Sequence, residues 1–373
     1  PQTTTEFRIN GNLPVSMAPG DVLVMDITAT TNPNLTVPGT IAPYNGTGSG
    51  AWSFTSAHRP VLFTSIEDST ITGLFHLTYD NSTSPVGNLF VTRDVTQTKL
   101  ELHDGSNVGP LVYQGTLASI LSLRILGSAG NDIVTVDDIN TLPDFAGTVP
   151  GVTDNPAIPL AGEFLFDGLG GSDTLVFNIT GATASQTYAI GSGSGAAGLE
   201  GEIESIAAGI NLLSYFQNVE LTQRTGVGAA PGALAILGDL SGNVMTVAAN
   251  GAITRTTATS YTPFEYNSNN FSALSVSGGS GGDTVDLVSV GTLPTSVLAT
   301  TLNGDANDDT LRVESTSGNT GVVTLNGGLG SDLFQLFNAA NTVDNIVGPV
   351  IVDGTDGSVG GNTDTLTIVD SGD

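Results

Sequence analysis

The sequence predicts an all-β chain: a parallel β-helix or solenoid, preceded by an N-terminal β-sandwich-like domain or cap. Three observations carry that expectation. Apolar residues come in short alternating groups such as "DVLVMDITAT", "LSLRIL" and "DTLRVES", each bounded by Gly, Asn, Asp or Ser, which is the strand signature. A glycine-aspartate phrase recurs between similar strand patterns. The first 88 residues carry no copy of it.

Residues 1–88 hold the only tryptophan, Trp52, and loops rich in Pro, Gly and Asn. They are expected to form a separate β-rich domain, with a boundary near "NSTSPVGN" (81–88). Trp52, Phe54, Tyr44 and Tyr79 could form a stacking platform for a carbohydrate; the alternative is that they fill a sandwich core. Residues 89–373 are expected to form the solenoid, with irregular insertions around 137–160 and 181–230. The segment 199–221, "LEGEIESIAAGINLLSYFQNVEL", could hold one or two helical turns, although Gly201 and Gly209 interrupt it.

The copies are "ILGSAGNDIVTV" (125–136), "FDGLGGSDTLVF" (166–177), "VSGGSGGDTVDL" (276–287), "LNGDANDDTLRV" (302–313) and "LNGGLGSDLFQL" (325–336). A stretched copy follows at 352–368, and a degenerate one at 236–247 has Asn243 in place of the acid. The shared form is apolar-x-Gly-x-x-x-x-Asp-x-apolar, so Asp132, Asp173, Asp283, Asp309, Asp332 and Asp364 are equivalent. Their separations are 41, 110, 26, 23 and 32 residues, and Asn243 divides the long gap into 70 and 40. Such steps fit one or two coils of a solenoid with loops let out at its corners.

In a solenoid, equivalent aspartates lie one strand spacing apart, near 5 Å. Two carboxylates at that distance repel by roughly 3 to 4 kcal/mol at an effective dielectric of 20. Three remedies exist: a bound cation, raised pKa values, or carboxylates that turn outward into water and cap local amides. Seven arginines and one lysine are too few to pair with 36 acids. A cation is the favoured remedy at some turns. The glycine turn at Gly327 and Gly330 can point carbonyl oxygens toward Asp332, giving hard oxygen ligands suited to calcium. Asp305, Asp308 and Asp309 offer further carboxylates in "NGDANDDTL".

"GGLGSDLF", "GGSGGDTV", "GLGGSDTL" and "GSAGNDIV" resemble the GGxGxD (haemolysin-type, RTX-like) calcium-binding repeats of extracellular bacterial β-repeat proteins. That family repeats its phrase every nine residues in tandem; here the copies are single and widely spaced. The resemblance implies calcium as cofactor, and Gly168, Gly170 and Asp173; Gly279, Gly281 and Asp283; and Gly327, Gly328, Gly330 and Asp332 as calcium-facing positions. It also implies an extracellular or cell-surface location.

Composition narrows the function classes. A formal charge of −28 repels nucleic acid and anionic membranes. No run of 18 apolar residues exists, so no helical transmembrane segment is expected. Pro1–Thr5 show neither the basic nor the apolar part of a signal peptide. The absence of cysteine removes disulfides and thiolate metal sites. For a polysaccharide lyase or hydrolase, the basic residues Arg93, Lys99, Arg124, Arg224, Arg255 and Arg312 are sparse and scattered. His58, His76 and His103 show no metal-binding spacing. The expectation is therefore a non-enzymatic structural subunit of an extracellular filament or surface layer, stiffened by calcium. It would associate with itself head to tail and could contact cell-surface polysaccharide. The stalk of an adhesin is the first alternative, and a polysaccharide-degrading β-helix enzyme the second.

Overall fold

The computed structural model describes residues 7–10, 22–39, 48–55, 59–66, 68–82, 88–150, 162–180, 185–190, 201–226, 232–238, 242–248, 252–255, 264–266, 271–288, 299–317, 321–354 and 362–372. The fold is all-β; the described residues contain a single 3-10 turn, Leu117–Ser119, and no α-helix. None of it is a helix long and apolar enough to cross a membrane. Tyr44 and His58 lie outside the described residues. The chain divides into two compact units: Pro1–Val152 with Leu160–Asn178 and Ile210–Val219, and Thr153–Pro159 with Ile179–Gly209 and Glu220–Asp373.

In the first unit one sheet runs, in spatial order, through Phe7–Asn10, Val61–Ile66, Gly48–Ser53, Asn34–Pro38, Phe75–Asp80, Ile120–Leu126, Phe164–Asp167 and Ile210–Gln217. A second runs through Leu111–Thr116, Lys99–Asp104, Asn88–Arg93, Ile133–Asp137 and Thr174–Asn178. From Asn34–Pro38 onward the first sheet is parallel and in register: Tyr79 pairs with Ile125, Ile125 with Phe166, and Phe166 with Phe216. In the other sheet Leu89 pairs with Val134 and Val134 with Leu175. All of these side chains are buried. Period-2 alternation thus becomes columns of apolar residues running across the strands, and the columns are the core.

The second unit is built the same way. One sheet passes through Ser185–Ile190, Ala233–Leu237, Ala273–Ser277, Ala299–Ala306, Val323–Leu329 and Val350–Asp353. The other passes through Val244–Val247, Thr284–Leu287, Thr310–Val313, Leu333–Leu336 and Thr365–Ile368. Ile236, Val276, Leu302, Leu325 and Val352 form one column. Met245, Val285, Leu311, Phe334 and Leu366 form another. From Ala273 onward the chain alternates between the two sheets, adding one parallel strand to each on every pass. Arg312 sits in register with Asp286 and forms a two-point pair with it, donating from Nε to Oδ1 at 3.0 Å and from the guanidinium to Oδ2. It also reaches Glu314 at 2.8 Å.

Three expectations change in detail. The helical turns expected in 199–221 are strands, Gly201–Ala207 and Ile210–Gln217. Ala208 and Gly209 between them both have positive φ, at 53° and 82°, which ends one extended run and starts the next instead of propagating a helix. The described parts of 181–230 are largely strand: Ser185–Ile190 and Leu221–Thr225 lie on either side of that pair. Hydrogen bonding also crosses the division expected near residue 88, since Phe75–Asp80 pairs with Ile120–Leu126 and both belong to one unit. Trp52 and Tyr79 are buried, and Trp52 meets Phe75 edge-on at 5.3 Å. They fill core, and neither is available as an exposed stacking surface.

Candidate functional site

The recurring phrase places its aspartates in columns, one within each unit. Each aspartate stands just before a strand that pairs in parallel with the next coil, so equivalent residues come together. In the second unit the Asn243 N–H donates to Asp283 Oδ1 (2.5 Å), the Asp283 N–H to Asp309 Oδ1 (2.6 Å), the Asp309 N–H to Asp332 Oδ1 (2.9 Å) and the Asp332 N–H to Asp364 Oδ1 (3.0 Å). In the first unit the Asp132 N–H donates to Asp173 Oδ1 at 2.8 Å. Every aspartate of the phrase thus accepts an amide from the coil before it or donates one to the coil after it. The spans of these bonds are 40, 26, 23, 32 and 41 residues. They join coil to coil and are not local Asx turns. Asp132 also carries a local cap, accepting the Ser128 N–H at 2.6 Å and its hydroxyl at 2.9 Å.

The glycine five residues before each aspartate follows from the same geometry. A Cβ on Gly278 would lie 2.5 Å from Asp283 Oδ2; on Gly168, 2.8 Å from Asp173 Cγ; on Gly327, 2.8 Å from Asp332 Cγ. On Gly304 it would lie 2.8 Å from Asp309 Cβ and 2.5 Å from the Gly327 carbonyl of the next coil. The carboxylate folds back over a bare Cα, and any side chain there displaces it. The inner turn positions obey a second rule. Gly171, Gly328 and Gly330 have φ of 129°, 97° and 148°, and a Cβ on each would strike a carbonyl of the preceding coil, at Gly130, Asp305 and Asn307 respectively. Where the phrase lacks glycine at these positions, Asp305 and Asn307 take φ of 77° and 81°, a conformation Asp and Asn tolerate better than most residues.

Two polar residues complete the columns. Asn81 stands where later coils have glycine: its N–H bonds to the Leu126 carbonyl as that of Gly127 bonds to Asp167. Its side-chain amide donates to Asp132 Oδ1 at 3.3 Å, and the residue is buried at 3% exposure. Asn243 occupies the aspartate position and donates its side-chain amide to both Asp283 Oδ1 (2.9 Å) and the Gly278 carbonyl (2.8 Å). A carboxylate could make neither bond. Both columns therefore begin with an uncharged donor aimed at the first carboxylate. The degenerate spelling at Asn243 was visible in the sequence; Asn81 was not, because its coil lacks the phrase.

Electrostatics follow from this packing. The column aspartates Asp132, Asp173, Asp283, Asp309 and Asp332 are no more than 2% exposed. An N–H dipole between successive carboxylates offsets part of their repulsion, and a hydrogen bond to a charged group is worth about 1.5–3 kcal/mol. Asp309 sits between two of them. Burial, and then the charges of Asp283, Asp332 and Asp305, raise its pKa to about 7, against the lowering effect of the Asp283 N–H.

The calcium expectation can be set against these positions. The column carboxylates spend Oδ1 on amides and fold Oδ2 onto glycine, so they do not converge on a shared space. Among the described residues no three His, Asp or Glu side chains gather as a metal site. The exposed acids are Asp305 and Asp308. They accept the Gly279 N–H at 3.3 Å and the Ser331 N–H at 2.8 Å, again from neighbouring coils. Of the glycines expected to face calcium, Gly168 and Gly327 cradle carboxylates and Gly328 and Gly330 pass carbonyls. Gly279 has φ of 100°. Gly170 has open space where its Cβ would be, and Gly281 donates its N–H to the Ala306 carbonyl at 3.3 Å. Compared with known proteins, the sequence matches no family model and shows no significant similarity to a curated protein.

Proposed function

We propose that the chain is a β-solenoid that serves as a structural subunit of an extracellular filament or surface layer, and that it catalyses no reaction. The observation that carries this reading is the unbroken parallel register from Ala273 to Ile368, where every pass adds one strand to each sheet and one carboxylate to the column. A stack of that kind transmits load through backbone ladders along its axis. Ile351 and Leu366 are about half exposed, at 52% and 50%, and in this reading a second copy pairs with the stack head to tail through its strands. Calcium enters at the exposed acids Asp305 and Asp308 and adds to a stack that the column already holds.

The test is electron microscopy and sedimentation of the chain, with calcium and with chelator, alongside Leu366→Lys and Ile351→Lys. The wild type is expected to form extended assemblies that the lysine variants, placed on exposed positions, lose. Chelation is expected to lower the melting temperature by only a few degrees, as removal of a surface ligand does. Monomers at every concentration, or a chain that cleaves polysaccharide, would overturn the reading.

A further inference from the structure

The first unit contains a cavity of about 250 Å³, at the small end of the size range of ligand sites. Its wall is chemically unusual for this chain. Among the described residues that line it, Arg124 and His76 are the ionisable ones and none is Asp or Glu, in a protein with 36 acids. The polar part of the wall is placed by strand register. Asn34, His76 and Ser122 align across three parallel strands, and Thr78 pairs with Arg124 one step further on. Ser122 Oγ and His76 Nδ1 are 2.8 Å apart, and both residues are buried, at 1% and 8% exposure. The two side chains satisfy each other, so the buried end of this polar row is fixed in place.

Arg124 adds a second, independent observation. Its Nε is buried and has no hydrogen-bond partner among the described residues, while the side chain is 39% exposed. Its nearest acid is Asp167, whose Oδ2 lies 3.5 Å from the guanidinium, while Asp167 Oδ1 accepts from Asn218 Nδ2 at 2.8 Å and from the Leu169 N–H at 3.3 Å. The exposed part of the guanidinium, rather than the buried Nε, is what a ligand can reach, and it suits a carboxylate. Around it, Asn32, Asn34, Thr55 and Thr78 offer neutral donors and acceptors of the kind that read hydroxyl groups, and Phe54 adds an aromatic edge to the rim. Asn32 holds a left-handed backbone, φ 44°, which is a conformation found at ligand sites more often than in plain connections.

We propose that this cavity binds one small hydroxylated carboxylate, an acidic sugar residue, with the carboxylate on Arg124 and hydroxyls on the asparagine and threonine wall. The site does not rest on the assembly reading. A subunit of a surface layer and a stalk could each carry it.

The experiment is titration calorimetry of the whole chain with glucuronate, glucose and acetate. It is repeated on Arg124→Gln and on Thr55→Trp, the latter at an exposed rim position where a larger side chain fills the cavity without entering the core. Circular dichroism confirms that each variant is folded. Glucuronate is expected to bind at least tenfold more tightly than either glucose or acetate. Arg124→Gln should weaken it tenfold or more, and Thr55→Trp should abolish binding. Glucose or acetate binding as well as glucuronate, no binding of any probe, or a folded Thr55→Trp that binds like the wild type would each overturn the proposal.

Discussion

Gly304→Ala is expected to lower the stability of the chain by about 2–4 kcal/mol, the range for forcing a methyl into a packed site that also disturbs a buried polar group. The alanine Cβ would arrive 2.8 Å from Asp309 Cβ and 2.5 Å from the Gly327 carbonyl. One obstacle is a side chain of the same coil and the other is backbone of the next, so rotamer change alone does not relieve it. Urea denaturation measures the loss. Pairing the glycine change with Asp309→Ala tests its cause: because the two substitutions act on one contact, the double variant should lose less than the sum of the singles. Strict additivity would show that the glycine has some other purpose.

Asp309→Asn is expected to have the opposite sign. Burial and the neighbouring acids hold the folded pKa of Asp309 near 7, against 3.8 in the free side chain. The folded state therefore binds the proton more tightly than the unfolded state. Stability from this group is greatest at low pH and falls as pH rises from about 4 through about 7. A tenfold difference in proton affinity between the two states corresponds to about 1.4 kcal/mol, so the loss across that window amounts to a few kcal/mol. Asparagine keeps the Oδ1 acceptor for the Asp283 N–H and cannot ionise, and Asn243 already stands at the equivalent position at the start of the column, donating its side-chain amide. The variant should be more stable than the wild type at pH 8, and the difference should shrink by pH 4. Part of the pH dependence will persist, because burial and Asp144 also raise Glu163 to about 7. Asp309→Ala, which strands the Asp283 amide, should be destabilising at both pH values.

Much of this was legible in the sequence for identifiable reasons. The strands could be read because period-2 alternation survives in many described segments. The equivalence of the aspartates could be read because the spacing from glycine to acid is five residues in every copy but the stretched one, where Gly354 precedes Asp364 by ten. Repulsion between stacked carboxylates was also foreseeable, and so was a raised pKa as one remedy. Capping was expected from local amides by carboxylates facing water; the carboxylates are instead buried and cap amides one coil away. What could not be read was which remedy each aspartate uses. That depends on whether Oδ1 turns toward an amide one coil away or outward into a shared space, and the difference is a rotation about one bond. Asn81 was hidden for a similar reason: its role comes from a register partner, Asp132, 51 residues away, and not from any local pattern. The two strands in 201–217 were obscured by their own burial. Nearly every residue from Leu212 to Phe216 is inside, so alternation is lost and a short apolar run reads as helix or strand equally well. The cavity in the first unit gave no sequence signal at all, since Asn34, His76 and Ser122 meet only through strand pairing.

The binding of coil to coil by carboxylates is the claim on which the rest stands, and amide hydrogen exchange of Asp332→Ala measures it most directly. Removing that side chain takes away the acceptor of one amide, the Asp309 N–H, and leaves the ladder bond from the Leu333 N–H to the Asp309 carbonyl, 2.8 Å long, in place. Protection of the Asp309 amide should fall by at least tenfold while that of Leu333 changes little. Equal protection of Asp309 in the variant and the wild type would contradict the account.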